Sequence, residues 1–372
     1  MIIRELNLNN FRTFSEAEIK FADRGNIIIG DNGQGKTNLL EAIHFLTIFR
    51  SLRQAADREC ISFGEDFFRL SALWIKEEGS SERLAVAFNG RRKKVTCGGS
   101  QVRVLSKVFG KFKSVLLSPE DVLIVQQGPA ARRKYLDIAL SIISPVYLER
   151  LKRYRKALAS RNYLLRSRSL RTELIRPWEE QMAEEGSRLI LERIEYLRLL
   201  APFYRELYAR LSTAEKSEIK YYNRLLGPWE QWREGFPDYP GLRELLAGSL
   251  EKNRPLERSR GTSLTGPQTD DLVFGIDGRP MRSFGSQGQQ RTAVICLKIA
   301  EAGLLQERWS VNAVLLLDDI FAELDCRRSE RLLQELVDRH QSFITAPRRE
   351  AILGSLSHLP VKSISNGVVT GD

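Results

Sequence analysis

The feature that most constrains this chain is a glycine-rich motif between a predicted strand and a predicted helix. Residues 30–37 read GDNGQGKT, which matches G-x-x-x-x-G-K-[ST] at every defined position. The β-branched run Ile27-Ile28-Ile29 before it is typical of a buried strand, and apolar residues recur at helical spacing after it. A chance glycine turn is the alternative, but it would need the motif and both flanking elements to agree by coincidence. The pattern therefore predicts an α/β fold built around a strand, a loop and a helix.

The residue types of this motif are suited to binding nucleotide phosphates. Glycines allow backbone N–H groups to converge on a phosphate, and the start of the following helix adds a favourable partial charge. Lys36 would reach the β- and γ-phosphates as a catalytic group, and the Thr37 hydroxyl would ligate Mg²⁺. The sequence thus predicts ATP and Mg²⁺ as cofactors. The binding residues predicted here are Gly30, Asn32, Gly33, Gly35, Lys36, Thr37 and Asn38.

A second predicted strand supplies the acidic groups that a magnesium–nucleotide site needs. The segment AVLLLDD at 313–319 is an apolar run that ends in two aspartates. We expect Asp318 to be the metal ligand and Asp319 to orient or deprotonate the attacking water. By itself the segment is equally well explained as a strand with a polar exit turn. Together with the phosphate loop it predicts catalysis of phosphate hydrolysis.

A third segment, SFGSQGQQRT at 283–292, lies before a strongly helical run. It resembles the signature motif of ABC-type ATPases, in which Ser and Gly at a helix start bind a γ-phosphate. The corresponding residues here are Ser286, Gly288 and Gln289, and exposed N–H groups at a helix start do attract anions. The alternative is an ordinary serine N-cap, which the same residues would satisfy.

The order of these motifs is similar to that of the SMC and Rad50 class of ABC-type ATPases. A phosphate loop near the N-terminus is followed by a helical insertion, a signature, an acidic strand and AELD at 322–325. Within this class the chain most resembles the RecF family of bacterial recombination mediators. The segments that carry the resemblance are NFRTF at 10–14, the phosphate loop, LSPEDV at 117–122, GPAARRKYLD at 128–137, SQGQQRT at 286–292 and LLLDDIFAELD at 315–325.

The resemblance implies a fold, an activity and partners. The fold is an α/β ABC-type ATPase head, with a mixed and parallel sheet and flanking helices, formed by residues 1–130 and 260–372, plus a helical arm at 131–259. The activity is weak, DNA-dependent ATP hydrolysis in recombination, replication and repair, with Arg12 and Asp325 added to the nucleotide site. The expected partners are a second copy bound through ATP, single-stranded, duplex and junction DNA, and the proteins RecR and RecO.

Two segments depart from patterns expected of such proteins. RecF sequences read GPHRDD where this chain reads GPQTDD at 266–271, so Gln268 and Thr269 replace a basic pair. The switch histidine of transporter ATPases is replaced by Ile344-Thr345-Ala346, which makes Thr345 a candidate γ-phosphate sensor.

The predicted arm concentrates positive charge. The formal net charge is +11, and residues 132–171 contain twelve cations against only Asp137 and Glu149. Such a field favours an acidic partner, and without a base-reading motif we expect contacts to the nucleic-acid backbone. The alternative is that acidic residues of EEQMAEE at 179–185 pair with these cations. The cations are Arg132, Arg133, Lys134, Arg150, Lys152, Arg153, Arg155, Lys156, Arg161, Arg166, Arg168 and Arg171.

Composition excludes other classes of protein. Hydrophobic residues make up 42% and charged residues 28%, which is typical of a globular protein rather than a disordered one. The longest apolar runs fall far below the ~20 residues that cross a bilayer, so we expect a cytoplasmic protein without membrane contacts. Four scattered cysteines without nearby histidines predict buried thiols rather than a zinc site. They are Cys60, Cys97, Cys296 and Cys326.

Two other functions remain open at this level. A transporter-type ATPase subunit would use the same motifs, although the charged arm argues against it. A structural, ATP-gated tether like the SMC proteins would also use them, although the insertion is short and shows no sustained heptad.

Overall fold

The computed structural model describes most of the chain. The residues described are 1–51, 55–167, 171–212, 215–227, 232, 235, 237–320, 334–348, 356 and 358–371. The strands are β1 (Ile2–Phe11), β2 (Phe14–Lys20), β3 (Gly25–Ile29), β4 (Phe68–Ile75), β5 (Ser81–Phe88), β6 (Lys93–Cys97), β7 (Ser100–Gln101), β8 (Ser114–Leu117), β9 (Ser217–Tyr222), β10 (Asp271–Ile276), β11 (Arg279–Pro280), β12 (Val314–Leu317), β13 (Ser342–Ala346), β14 (Val361–Ser365) and β15 (Val368–Thr370).

Helices occupy most of the middle of the chain. They are α1 (Lys36–Ile48), α2 (Leu123–Gln126), α3 (Pro129–Ile143), α4 (Pro145–Leu165), α5 (Thr172–Leu211), α6 (Tyr239–Arg260), α7 (Met281–Phe284) and α8 (Gln287–Trp309). Residues 334–339 are also helical. No helix in the described part of the chain is long and apolar enough to cross a membrane.

The chain divides into two compact units. The first comprises Met1–Val122, Arg210–Thr213 and Gln287–Asp372, and the second comprises Leu123–Ala209 and Ala214–Ser286. The second unit therefore extends further on both sides than the segment 131–259 that the sequence suggested for an arm. The additional part includes β10, β11 and α7, because β10 pairs with β9 of the same unit.

Two six-stranded sheets form the first unit. One is antiparallel, with the order β2-β1-β4-β5-β6-β7, and the other has the order β15-β14-β3-β13-β12-β8. In the second sheet the five strands from β14 to β8 are parallel, and only β15 is antiparallel. Strands β12 and β13 are buried at every position, as expected for strands covered on both faces.

Helix α1 lies in the core of the first unit. Gly35 precedes it with φ 112°, and the helix ends where Phe49 adopts φ 54° and donates its N–H to the Phe45 carbonyl. The helix is buried on almost every side because it contacts strands of both sheets. Its apolar residues join those of β1, β4, β5, β12 and β13 in one hydrophobic cluster, so the loop before α1 is held by the core itself.

The second unit is mainly helical and contains a three-stranded antiparallel sheet of order β11-β10-β9. Helix α4 begins at Pro145 after the Ser144 hydroxyl accepts the Tyr147 N–H, and α6 begins after the Asp238 carboxylate accepts the Gly241 N–H. Arg161 of α4 is fully buried. It pairs with Glu179 of α5 at 2.9 Å and with Glu257 of α6 at 2.6 Å.

Two elements were not expected from the sequence. Strand β9 lies within the segment 131–259 that was predicted to be a helical arm, and the hairpin of β14 and β15 was not predicted. Helix α5 continues through Pro202 to Leu211, and Leu200, Tyr204 and Tyr208 are buried along its apolar stripe. Residues 321–333, which include AELD at 322–325, lie outside the described residues.

Candidate functional site

The parallel sheet brings the ends of three strands to one edge. β13 pairs with β3 on one side and with β12 on the other, and Leu317 of β12 is level with Ile344 of β13. The next residues, Asp318 and Thr345, therefore lie side by side. Residues 30–35 leave the sheet at the same edge, because they follow β3. This topology places the phosphate loop and the acidic strand end together.

A chain of hydrogen bonds joins these elements. The Thr37 hydroxyl donates to Asp318 Oδ2 at 2.8 Å, and the Thr345 hydroxyl donates to Asp318 Oδ1 at 2.7 Å. Thr345 is fully buried and Asp318 is 4% exposed, so each carboxylate oxygen has a defined donor. Thr37 and Asp318, the predicted metal ligands, thus lie close enough for the hydroxyl oxygen and a carboxylate oxygen to contact the same ion. Oxygen ligands of this kind are those that Mg²⁺ prefers, so the residues fit the ion.

Asp319 is held in an unusual backbone conformation. Its φ is 45°, a left-handed value that is uncommon for residues other than glycine. Its backbone N–H donates to the Thr345 hydroxyl at 2.8 Å, which fixes the turn after β12. Its Oδ1 atom is buried and has no hydrogen-bond partner among the described residues. A buried carboxylate oxygen without a donor is costly, so this atom of Asp319 is available to accept a hydrogen bond.

The phosphate loop itself is shaped by its glycines and by Lys36. The Lys36 ammonium donates to the main-chain oxygens of Gly30, at 2.7 Å, and Asp31, at 3.2 Å. A Cβ atom at Gly30 would lie 2.4 Å from the Ile364 carbonyl oxygen of β14, so glycine is required there for close backbone approach. Gly33 has φ 82°, and Asn32 is exposed at the tip of the loop.

The turn between β1 and β2 lies against the start of α1. Thr13 accepts the Asn38 side-chain amide at 3.1 Å, and the Thr13 hydroxyl lies 2.7 Å from the Cβ position that Gly35 lacks. Arg12, predicted to lie beside the nucleotide, forms a two-pronged ion pair with Glu41 of α1 at 3.0 and 2.9 Å. Burial acts to lower the pKa of Arg12, but the Glu41 carboxylate outweighs it and raises that pKa. Arg12 therefore ties the turn to the helix of the phosphate loop.

The hairpin of β14 and β15 also supports the phosphate loop. This contact was not predicted from the sequence. Gln34 Oε1 accepts the backbone N–H of Asn366 at 2.6 Å, and the backbone N–H of Gly367 reaches the Gln34 carbonyl at 3.3 Å. The dipeptide Asn366-Gly367 is a strong hairpin signal that could have revealed this element. Beside the loop is a cavity of about 360 Å³ lined by Ile29, Gly30, Asp31, Gln34, Pro347, Arg348, Ser363, Ile364 and Ser365.

The signature residues lie at the start of α8. Ser286 immediately precedes the helix and is exposed, Gly288 is in its first turn and exposed, and Gln289 is partly buried. Because Ser286 and Gly288 are exposed, an anion can approach the start of this helix.

Asp325 and Cys326 lie outside the described residues. Among the described cysteines, Cys60 and Cys296 are buried as predicted and Cys97 is half-buried. The described residues contain no cluster of three or more His, Cys, Asp or Glu suited to a metal.

Much of the predicted basic surface is neutralised by neighbouring carboxylates. Arg161 pairs with Glu179 and Arg153 pairs with Glu185, so the pairing with residues 179–185 that we raised as the alternative is confirmed for both. Arg168 is outside the described residues. Further ion pairs of this stretch are Arg132–Asp271, Arg150–Glu192, Lys152–Glu149, Arg155–Asp137 and Arg161–Glu257. The basic stretch is therefore much less positive as a surface than its composition predicts.

The departures from the family pattern also have defined places. Gln268 accepts the Tyr154 hydroxyl and donates to the Thr265 carbonyl at 2.8 Å, while the Thr269 hydroxyl donates to the Gly266 carbonyl at 2.7 Å. Both side chains thus stabilise the turn that leads into β10.

Comparison with known proteins gives a consistent result. The family model "RecF/RecN/SMC N terminal domain" matches residues 2–370. The chain is 36% identical to the DNA replication and repair protein RecF of Halalkalibacterium halodurans, over 95% of this chain and 94% of that protein. It is 35% identical to the protein of the same name from Prosthecochloris aestuarii, over 95% of each.

Solved structures extend this likeness to the fold. "Structure of the recombination mediator protein RecF-ATP in RecFOR pathway" superposes with a TM-score of 0.91 and 32% identity, covering 100% of this chain and 97% of that one. An Smc head bound to the C-terminal winged-helix domain of ScpA shares the fold, with a TM-score of 0.57 and 13% identity over 100% and 96% of the two chains. These likenesses confirm the predicted α/β fold of an ABC-type ATPase head with a helical insertion. The chain belongs to the RecF family, within the wider group of RecF, RecN and SMC N-terminal domains.

Proposed function

We propose that this chain is a recombination and repair mediator that binds ATP with Mg²⁺, dimerises on ATP and binds gapped or duplex/single-strand junction DNA to help load a recombinase. The observation that carries the proposal is the convergence of Thr37, Asp318 and Thr345 on one edge of the parallel sheet. Family membership supports it, because full-length relatives are named as DNA replication and repair proteins. The same names favour this function over a tether or a transporter subunit.

The proposed hydrolysis assigns a role to each residue of the site. The backbone N–H groups of the loop and the Lys36 ammonium bind the phosphates, while Thr37 and Asp318 hold Mg²⁺. The ion, when bound, neutralises charge that develops on the phosphate oxygens. Asp319 orients or deprotonates the attacking water, which agrees with its unpartnered buried oxygen. Arg12 positions the helix that follows the loop through its ion pair with Glu41, and the neighbouring Thr13 contacts Asn38 of the same helix.

The proposed dimer uses the exposed start of α8. In ABC-type ATPases the signature of one copy meets the phosphate loop of the other, so Ser286 and Gly288 would bind the γ-phosphate held by the second copy. Residues 1–122 and 287–372 would form the head, and the second unit would form the arm. By family likeness we also propose RecR and RecO as partners, and a slow ATPase that DNA stimulates.

A size measurement tests this function. Light scattering is recorded with and without ATP and gapped DNA, at low and moderate salt. We expect a dimer only with ATP, and DNA binding that weakens with salt in proportion to the phosphates contacted. Lys36→Ala is the control, since it removes the charge that reaches the phosphates and should abolish both ATP binding and dimerisation. A Lys36→Ala protein that still dimerises on ATP would contradict the proposal.

A further inference from the structure

The second unit contains a cavity that the proposed nucleotide site does not use. It has a volume of about 200 Å³ and lies among α3, α4, α5 and the turn before β10. This volume is far above the ~10–15 Å³ that a single water molecule needs, so it has room for a phosphate group and part of its substituent. Its apolar wall is formed by Leu151, Leu158 and Leu189, with Tyr154 beside them.

The polar side of this cavity is strongly basic. Four cations line it, namely Arg133, Lys134, Arg155 and Arg193, and Asp137 is the only carboxylate among the lining residues. That carboxylate is already shared by two guanidinium groups. Its Oδ1 accepts Arg193 Nη2 at 2.8 Å and its Oδ2 accepts Arg155 Nη2 at 2.8 Å. Asp270, which does not line the cavity, is a second carboxylate paired with Arg193, at 3.3 Å.

Arg193 is the buried cation of this cavity, and several acceptors hold its side chain in place. Its side chain is 3% exposed, and it also donates to the Pro267 carbonyl at 2.7 Å and to Asp270 Oδ2 at 3.3 Å. Asp270 lies behind Arg193, and its carboxylate also accepts the Tyr221 hydroxyl and the Asn223 side-chain amide, the latter at 2.8 Å. These acceptors fix the position of the Arg193 guanidinium group at the cavity, while Asp137 and Asp270 offset part of its charge.

Arg133 also lines the cavity. It is half-buried, and its Nη1 atom donates to the main-chain oxygen of Asp270 at 2.7 Å. It forms no ion pair with a carboxylate of the described residues. Burial lowers the pKa of Arg133, and the nearby Arg193 lowers it further. Both effects mean that the charged form is penalised, and an anion in the cavity would relieve that penalty.

We propose that this cavity binds the phosphate group of a phosphate ester, with Arg133 as the principal contact and Arg155 and Arg193 at its sides. Guanidinium groups match phosphate oxygens in geometry and donate charge-assisted hydrogen bonds to them. The leucine wall suits the organic part of the ester. The ester comes from a nucleic-acid backbone or from a free nucleotide. The site is independent of the proposed ATP-driven function, since none of its residues belongs to the phosphate loop.

The test uses the full chain carrying Lys36→Ala, so that the phosphate loop does not contribute. Calorimetry measures the binding of inorganic phosphate, a 5′-phosphorylated dinucleotide and a short single-stranded oligonucleotide. We expect Arg133→Gln to weaken binding about tenfold or more, since it removes a charge-assisted donor. Arg176→Gln is the matched control, because Arg176 is exposed on α5 and pairs only with the neighbouring Glu180 at 3.3 Å; it should bind as the parent does.

The outcomes separate the sources of phosphate. Loss of phosphate or dinucleotide binding in Arg133→Gln identifies a free ester as a ligand, and loss of oligonucleotide binding alone identifies the nucleic-acid backbone. If Arg133→Gln does not fold, Arg155→Gln, at a half-exposed position, decides by the same criteria. Equal binding by Arg133→Gln and Arg176→Gln would overturn the proposal, as would the absence of binding by all three probes.

Discussion

At the scale of single residues, Thr345 explains how the acidic strand end is held. Its hydroxyl donates to Asp318 and accepts from the backbone of Asp319, so one buried side chain orders both aspartates. The sequence suggested Thr345 as a γ-phosphate sensor. The structure shows the contacts through which it positions Asp318, the proposed metal ligand, and Asp319.

Replacing Thr345 tests this positioning role. Thr345→Val keeps the shape but leaves a buried carboxylate oxygen and a backbone N–H without partners, at a cost of ~1–3 kcal/mol in stability. We expect kcat for ATP hydrolysis to fall about tenfold or more, with KM little changed, because ground-state binding depends on the loop. Thr345→Ser should restore most of kcat. If the serine variant is as slow as the valine variant, the hydroxyl is not the group that matters.

His44 gives a second prediction at this scale. It is buried in α1 with its Nδ1 atom 2.9 Å from the Ser114 hydroxyl, and burial lowers the pKa of His44 to about 3. The unfolded chain, with an ordinary pKa near 6.5, binds a proton that the folded chain excludes, so stability falls as pH drops below about 6.5. Relative to His44→Gln, we expect a loss of ~1.4 kcal/mol per pH unit between pH 6 and 4. Denaturant unfolding at several pH values measures it, and parallel pH profiles would contradict it.

At the scale of elements, the helices of the second unit are joined by buried charge. Arg161 of α4 reaches Glu179 of α5, Glu257 of α6 and the Ser263 hydroxyl at 2.7 Å. Buried cations of this kind specify which helices pack together, because any other arrangement would leave a charge unpaired.

Removing this cation should therefore be costly. We expect Arg161→Met to lower the free energy of unfolding by ~3–5 kcal/mol, since the fully buried Glu257 would lose its cation and Glu179 would keep only Arg254. Arg176→Met is the control and should change it by less than ~0.5 kcal/mol, because its pair with Glu180 is exposed. Equilibrium denaturation measures both. Similar values for the two variants would show that the network contributes little to stability.

At the scale of the whole molecule, the proposed function depends on two copies meeting through ATP. The phosphate loop and the start of α8 are accessible parts of the chain, and each would complete the other copy's site. Hydrolysis would then separate the copies and release DNA.

Asp319→Asn tests this cycle. The amide keeps the size of the side chain but cannot accept the proton of the attacking water, so ATP should still bind while turnover falls ~100-fold or more. We expect the ATP-bound dimer to persist in size-exclusion chromatography for much longer than that of the parent protein. Unchanged hydrolysis by Asp319→Asn would remove this residue from the catalytic role.

The sequence by itself determined the local chemistry of the head. The phosphate loop, the helix after it and the acidic end of β12 follow from spacing within a few residues, since glycine conformations and apolar periodicity are local properties. The family also followed from the order of these motifs. The hairpin of β14 and β15 and the strand β9 also carried local signals, in Asn366-Gly367 and in the alternation of residues 217–222.

Only the tertiary structure decided which charges meet. The basic stretch at 132–171 acquires most of its partners from α5 and from β10, which lie tens of residues away in sequence. Thr345 and Asp318 become neighbours only because β12 and β13 pair in a fixed register. Contacts of this kind depend on how elements pack, and a single sequence records the charges without recording their distances. Folding therefore pairs many of the cations of this basic stretch with carboxylates. The cavity among α3, α4 and α5 is still lined by more cations than carboxylates.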